Sequence, residues 1–352
     1  TAARPGVRLD EEEVREIVTR LDGLPLAIEL AAAKTRMMSV EEIRRRLTDR
    51  FALLRGGNRS APDRHQTLLA VIDWSWNLLG ERERRALSRL SLFGDGFTLE
   101  ASEHMLGSDA VQAVDALVEQ SLLSVRETAY GLRYRMLETV REFGLMRLAE
   151  AGDEARARAA QRSWAVEYGV RHIGYLFSPR QFEAVDALSA EEGNLADLLR
   201  RALNEGDHGT VMRLMASVGA LWSIRGDHPR IIVLHEALVQ TLTGWVPPPE
   251  LEEATRAAVL IMLMNMMGMT DRVLRDLLAH LPKRDSPDRR LAAMTRVVLA
   301  GKPPIGEQVI QRLTELSLSS DHDLALMAGQ ALAHALENAG NAEAARAVAE
   351  RV

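Results

Sequence analysis

Side chains capable of covalent or acid–base chemistry are plentiful in this chain but are not arranged for it. Fifty carboxylates and nine histidines are spread over 352 residues. No His-Glu-x-x-His or comparable ligand spacing occurs among them, so no metal site is expected. No Gly-x-Ser-x-Gly turn presents a serine nucleophile. With no cysteine in the chain, disulfides, thiolate zinc sites and thiol nucleophiles are excluded. A phosphate cradle needs a glycine-rich loop between strand and helix, ending in Lys-Ser/Thr. Gly56-Gly57 and Gly94-Asp95-Gly96 follow helical segments instead and lack the lysine. The expectation is a chain that catalyses nothing by itself.

Other conspicuous residues have plainer readings. Arg82, Arg84 and Arg85 alternate with Glu81 and Glu83, which suits a solvated helix face better than a DNA contact. Arg64 and His65 fit a hinge cap. Met262, Met264, Met266, Met267 and Met269 form a cluster; methionine adapts to irregular surfaces and can mark a partner groove, but the helical setting favours a core. Trp222 and Trp245 read as packing residues.

The elements that would position these residues are almost all helices. Hydrophobic residues are 47% and charged residues 27% of the chain, the balance of a globular protein with real cores. The net charge of −6 argues against coating nucleic acid. No apolar run is long enough to span a membrane, and a reducing cytoplasm is the expected compartment. The start, Thr1-Ala2-Ala3-Arg4-Pro5-Gly6, reads as a cut inside a longer protein.

Three units are expected, at 1–60, 61–152 and 153–352. In the first, an acidic turn at Asp10–Glu13 opens a helix carrying Val14, Ile17, Val18 and Leu21 on one face. Asp22-Gly23-Leu24-Pro25 breaks it, Leu26–Lys34 is nearly all apolar, and Ser39 with Glu42 forms a capping box. In the second, helices are expected at His65–Leu79, Glu81–Leu92 and Ala110–Gln120. Leu122–Glu127 and Leu132–Met136 then form a hairpin about Thr128-Ala129-Tyr130-Gly131. Helices followed by a hairpin are the order of a winged helix. In the third, ten amphipathic helical segments separated by Gly and Pro punctuation fit an α-solenoid of tetratricopeptide type. The fold class is therefore mostly α: a helical lid, a winged helix and helical repeats.

Four segments carry a family resemblance. Arg20-Leu21-Asp22-Gly23-Leu24-Pro25-Leu26-Ala27 resembles the GLPL motif of STAND-type (NB-ARC-like) ATPases. Arg64-His65-Gln66-Thr67-Leu68 through Leu79, Leu90–Glu100 and Tyr134–Phe143 resemble their winged helix, in the same order, so that the likeness covers about residues 10–150. Glu191-Glu192-Gly193-Asn194-Leu195 and Leu221-Trp222 with Arg225-Gly226 resemble the repeats that follow the ATPase core in bacterial antibiotic-production and LuxR-type regulators.

The resemblance implies an ADP/ATP site shared with a nucleotide-binding domain elsewhere in the longer protein, and no tight nucleotide binding by this chain alone. It places Gly23, Leu24 and Pro25 at the adenine: a proline offers a flat apolar face with no donor. Animal and plant members end the winged helix in Met-His-Asp, whose histidine senses the ADP phosphates. Met136, Leu137 and Glu138 occupy the matching positions here, and Leu137 cannot donate to phosphate. The implied partners are the nucleotide-binding and effector domains of the same longer chain, a protein or small-molecule signal at the repeats, and further copies on activation. Two other functions stand beside this one: a protein-interaction scaffold without nucleotide control, and a DNA-reading winged helix. The latter is disfavoured because Ala110–Gln120 contains no Lys or Arg.

Overall fold

The computed structural model describes residues 11–20, 23, 28, 35, 39–46, 72, 76–77, 79–120, 122–266, 271–282, 288–300 and 307–351. It divides into two compact units, Thr1–Gln161 and Arg162–Val352.

The first unit opens with α1 (Glu11–Arg20) and α2 (Val40–Arg46), which pack on each other. Ile17, Val40 and Ile43 are buried between them. Ser39 caps α2, its Oγ accepting from Glu42 N at 3.1 Å, as the capping pattern predicts. Most of the expected apolar helix at 26–34, most of the helix at 65–79 with the hinge residues Arg64 and His65, and the linker at 56–62 lie outside the described residues.

The winged helix follows as α3 (Glu81–Leu90), α4 (Leu99–Leu106), α5 (Ala110–Glu119), β1 (Leu123–Thr128), β2 (Gly131–Met136) and α6 (Glu138–Glu150). The strands pair antiparallel in the register Leu123↔Met136 to Thr128↔Gly131. Sequence reading placed the hairpin within a residue of this but did not read α4 at all. Its eight residues mix Ser102, Glu103 and His104 among apolar ones, too short a stretch for a helical period to stand out. What starts α4 is the Thr98 cap, whose Oγ1 accepts from Ala101 N at 3.2 Å.

Just before α4, Phe97 forms a one-residue bridge to Tyr134 of β2, so the wing has a third, minimal strand. Phe93, Phe97, Leu87, Leu90, Leu117 and Phe143 fill the core with no more than 2% of their surfaces exposed. Along β1 only Leu123 is buried, so the hairpin projects into solvent.

Helix α7 (Glu154–Ile173) contains the point of division. Beyond it the second unit is helical throughout its described residues: α8 (Gln181–Glu205), α9 (His208–Ile224), α10 (His228–Ile232), α11 (His235–Leu242), α12 (Glu252–Asn265), α13 (Arg272–His280), α14 (Arg289–Ala300), α15 (Glu307–Ser317), α16 (His322–Asn338) and α17 (Ala342–Ala349). Helices α9, α12, α14 and α16 touch in succession and form one row; α8, α11 and α13 form a second row behind them. Two rows of alternating helices are the architecture of helical repeats. Asp207, Asp271, Asp321 and Asn341 each cap the helix that follows with a side-chain oxygen. Met262 and Met266 are core residues of the first row, as the plainer reading of the methionine cluster expected for them; Met264 is half-buried, and Met267 and Met269 lie outside the described residues. The fold as a whole is mostly α, with a winged helix and helical repeats.

Candidate functional site

Of the residues the resemblance assigns to nucleotide, Leu24 and Pro25 lie outside the described residues. Gly23 adopts φ +66, and its N–H donates to Val18 O at 3.0 Å. It thus ends α1 in the left-handed turn that glycine tolerates best.

Met136 and Glu138 meet at one corner of the winged helix, where β2 passes into α6. Leu137 between them is extended (φ −61, ψ 141) and 39% exposed. Both neighbours converge on Ser91, at the end of α3. Ser91 Oγ donates to Leu87 O at 2.7 Å and lies 3.3 Å from Met136 Sδ. Glu138 grips Arg141 through both carboxylate oxygens, Arg141 Nε donating to Oε2 at 2.8 Å. Arg141 Nη1 in turn reaches Ser91 O at 3.5 Å. This corner is pinned from behind while an apolar side chain faces outward.

The wing is fixed by Arg133, only 7% exposed, whose Nε donates to Asp95 O at 2.7 Å and Nη2 to Gly96 O at 3.2 Å. Gly96 sits at φ +70, and a Cβ there would run into the Tyr134 carbonyl, so the position needs glycine. The outward face of α5, which in a DNA reader would enter the major groove, carries Val111, Gln112, Asp115 and Glu119. It is acidic. Arg82 and Arg85 lie on α3 and are engaged by Asp109, at 3.9 and 3.2 Å, while Arg84 caps the carbonyls of Trp76 and Asn77.

In the repeats the two resemblance segments come together at one carboxylate. Glu192 on α8 is 15% exposed and accepts from Trp222 Nε1 at 2.9 Å, from Arg225 Nη1 at 2.8 Å and from Arg230. It ties α8 to α9 and α10. Trp245 packs as expected, stacked on His208 at 4.6 Å. Glu192→Ala leaves the Trp222 indole unpaired, and a loss of about 2 kcal/mol is expected. Denaturant unfolding of the chain should show the midpoint fall, and an unchanged midpoint would mean the three donors find water at no cost.

One grouping escaped the sequence reading. His228 on α10 and His334 on α16 are in contact, with ring centroids 3.9 Å apart and the planes tilted by 31°. Their nitrogens and a Glu337 oxygen lie within 4.8 Å of one another. The three come from helices more than a hundred positions apart, and only the local His334–Glu337 spacing of three was visible beforehand. Burial, then the neighbouring His228, lowers the His334 pKa to about 4, so its ring is neutral near pH 7.

Comparison with known proteins adds to this geometry. A family model described as a winged helix-turn-helix domain matches residues 79–149. The chain is 45% identical over 157 residues to the Mycobacterium tuberculosis (strain ATCC 25618 / H37Rv) protein named "Putative HTH-type transcriptional regulator Rv0890c", an alignment covering 43% of this chain and 18% of that protein. It is 38% identical over 156 residues to "Uncharacterized protein Rv0894" of the same organism, covering 42% of this chain and 40% of that protein. The chain thus spans less than half the length of either relative. No solved structure matches it. Among the described residues no helix is long and apolar enough to cross a membrane. By family match and by its order of helices, bridge and hairpin, the segment 79–149 is a winged helix-turn-helix domain.

Proposed function

We propose that this chain is the regulatory part of a bacterial transcriptional regulator of the STAND type, acting in the cytoplasm, whose state is set by ADP or ATP bound to a domain elsewhere in the longer protein. The observation that carries the reading is the corner at Met136, Leu137 and Glu138. A surface leucine is presented there on a frame fixed by Ser91 and Arg141. In this proposal Leu137 packs against the nucleotide-bearing domain in the ADP state. Gly23, Leu24 and Pro25 close over the adenine. A signal at the repeats weakens this clamp, ATP replaces ADP, and copies assemble. The switch works only if the ligand favours one state over the other, with a coupling of roughly 1–3 kcal/mol. Arg141 is already committed to Glu138, so the corner acts through packing rather than through phosphate contact.

The test uses the longer protein. It should purify with bound ADP, detected by chromatography after denaturation, and Leu137→Glu should speed ADP exchange about tenfold, the rate equivalent of ~1.4 kcal/mol. If no nucleotide is retained, or if Leu137→Glu and Pro25→Ala both leave exchange unchanged, a scaffold without nucleotide control is the better account.

A second reading, direct DNA binding, is favoured by the helix-turn-helix name of the mycobacterial relative. The acidic face of α5 opposes it, since phosphate neutralisation needs Lys or Arg. A salt-dependent shift of duplex DNA by this chain would reverse that preference.

A further inference from the structure

The row formed by α9, α12, α14 and α16 lines a half-open cavity of about 390 Å³, within the roughly 300–1,000 Å³ range of small-molecule sites. Its walls come from the end of α7 and from α9, α10, α12, α14 and α16, and they are mostly apolar. Phe177, Ala257, Leu260, Ile261, Met264 and Met294 supply much of the surface. Lone apolar walls would say little. Two polar atoms make the difference: Arg290 Nη1 and His334 Nδ1 are buried without any hydrogen-bond partner, and both residues line this cavity. An unsatisfied buried donor costs about 1–3 kcal/mol, so two on residues that line one cavity call for a partner, which a small turn of either side chain would bring within reach.

The surroundings define what each atom can do. Arg290 donates through Nε to Asp288 Oδ1 at 2.9 Å and through Nη2 to Oδ2 at 2.6 Å. Only Nη1 is left. Burial alone would raise the Asp288 pKa, but the hydrogen bonds and charge of Arg290 outweigh it and hold it below the ordinary range. The fork is therefore already matched by a carboxylate.

Asn265 Nδ2 donates to Ser223 Oγ at 2.8 Å and to Ile261 O at 2.7 Å. Its Oδ1 must then accept from His228 Nδ1, at 2.6 Å. On the partner ring, Asn338 Nδ2 donates to His334 Nε2 at 3.0 Å, which places the proton of the neutral imidazole on Nδ1. Both orphans are donors. The charged residues lining the cavity are Arg213, Arg290, Glu253 and Asp288, two of each sign, so a charged occupant would stand unbalanced in an apolar space.

We propose that this cavity binds a neutral, mostly apolar small molecule bearing acceptor oxygens, of ester, lactone or ketone type, with Arg290 and His334 donating to them. It rests on the reading of the repeats as the sensing part, and it gives that part a ligand class. The apolar body of the ligand fills the space between α9, α12 and α14. Its oxygens satisfy the two donors, and the paired histidine rings form part of one wall.

The test uses the 352-residue chain with Nile red, a neutral apolar dye with a ketone oxygen, as the probe. Saturable one-to-one binding with a blue-shifted emission is expected, and the anionic dye ANS should not compete. Ala257→Phe, which fills the cavity, should abolish binding while the far-ultraviolet circular dichroism and melting transition persist. His334→Phe keeps an aromatic ring against His228 but removes the donor, and should weaken binding about fivefold to tenfold, in line with ~1 kcal/mol for one hydrogen bond; this variant decides the matter if Ala257→Phe does not fold. Equal binding by both folded variants overturns the proposal. So does loss of dye binding on adding EDTA, which would give His228, His334 and Glu337 to a metal ion instead. ADP exchange in the longer protein is a separate readout. A dye that binds as expected but leaves exchange unchanged upholds the cavity and removes its link to the nucleotide switch.

Discussion

Phe97→Ala is expected to destabilise the winged helix by about 4 kcal/mol, within the range for truncating a fully buried phenylalanine. The ring has no exposed surface. It lies 5.8 Å from the Phe93 ring and stacks on Tyr134 at 5.8 Å. Its backbone supplies the wing's third strand, Phe97 N donating to Tyr134 O at 2.9 Å and Tyr134 N to Phe97 O at 2.8 Å. The substitution empties the space under the hairpin and loosens the bridge that aims it. Amide hydrogen exchange is the measurement: peptides within 79–149 should lose protection, whereas those of α9, α12 and α16 should keep it. Unchanged protection along β2 would show that the wing is held by Arg133 and Gly96 alone.

Gly144→Val is expected to cost about 3 kcal/mol, the upper part of the range for overpacking a close contact. Helix α6 lies on α3, and Gly144 faces Ser91 and Leu87 at that contact. A Cβ at this position would land inside the Ser91 hydroxyl, with Ser91 Cβ at 2.9 Å and Leu87 O at 3.3 Å. Ser91 is fully buried and cannot move aside without releasing Leu87 O. Valine adds a β-branched side chain to a helix, which lowers propensity a little further. Thermal unfolding of the chain should show the loss, and Ser91→Gly in the same chain should restore much of it, because it removes the clashing atoms. Failure of that rescue would place the strain elsewhere along α6. The same serine supports Met136 and meets Arg141, so the variant should also disturb the Leu137 corner and speed nucleotide exchange in the longer protein.

What the sequence could disclose follows from the range of the interactions. The hairpin was legible because alternation and the loop Thr128–Gly131 are local. Most repeat helices were legible because their apolar faces recur within a few turns. Two local features were not: α4, too short to show a period, and the break between α10 and α11, where Val233 and Leu234 interrupt what reads as one helix from Arg230 to Leu242. Met136 and Glu138 were singled out only through motif order, and their convergence on Ser91 could not be inferred because Ser91 stands 45 positions from Met136. The Glu192 node was half legible, since both segments that build it stood out without any sign that they touch. The cavity was not legible at all. Arg290 and His334 sit on different helices, and no periodicity couples residues that meet only when alternate helices line up in one row.

That row has a consequence for how such a chain can change over generations. Each helix of that row touches the next one and the helices beside it in sequence, so a duplicated helix pair inherits a ready-made neighbour on either side. Adding or deleting one pair by unequal recombination would resize the cavity while leaving each remaining junction intact. Related chains could therefore diverge in the bulk of molecule they admit through copy number, without having to rebuild the walls residue by residue.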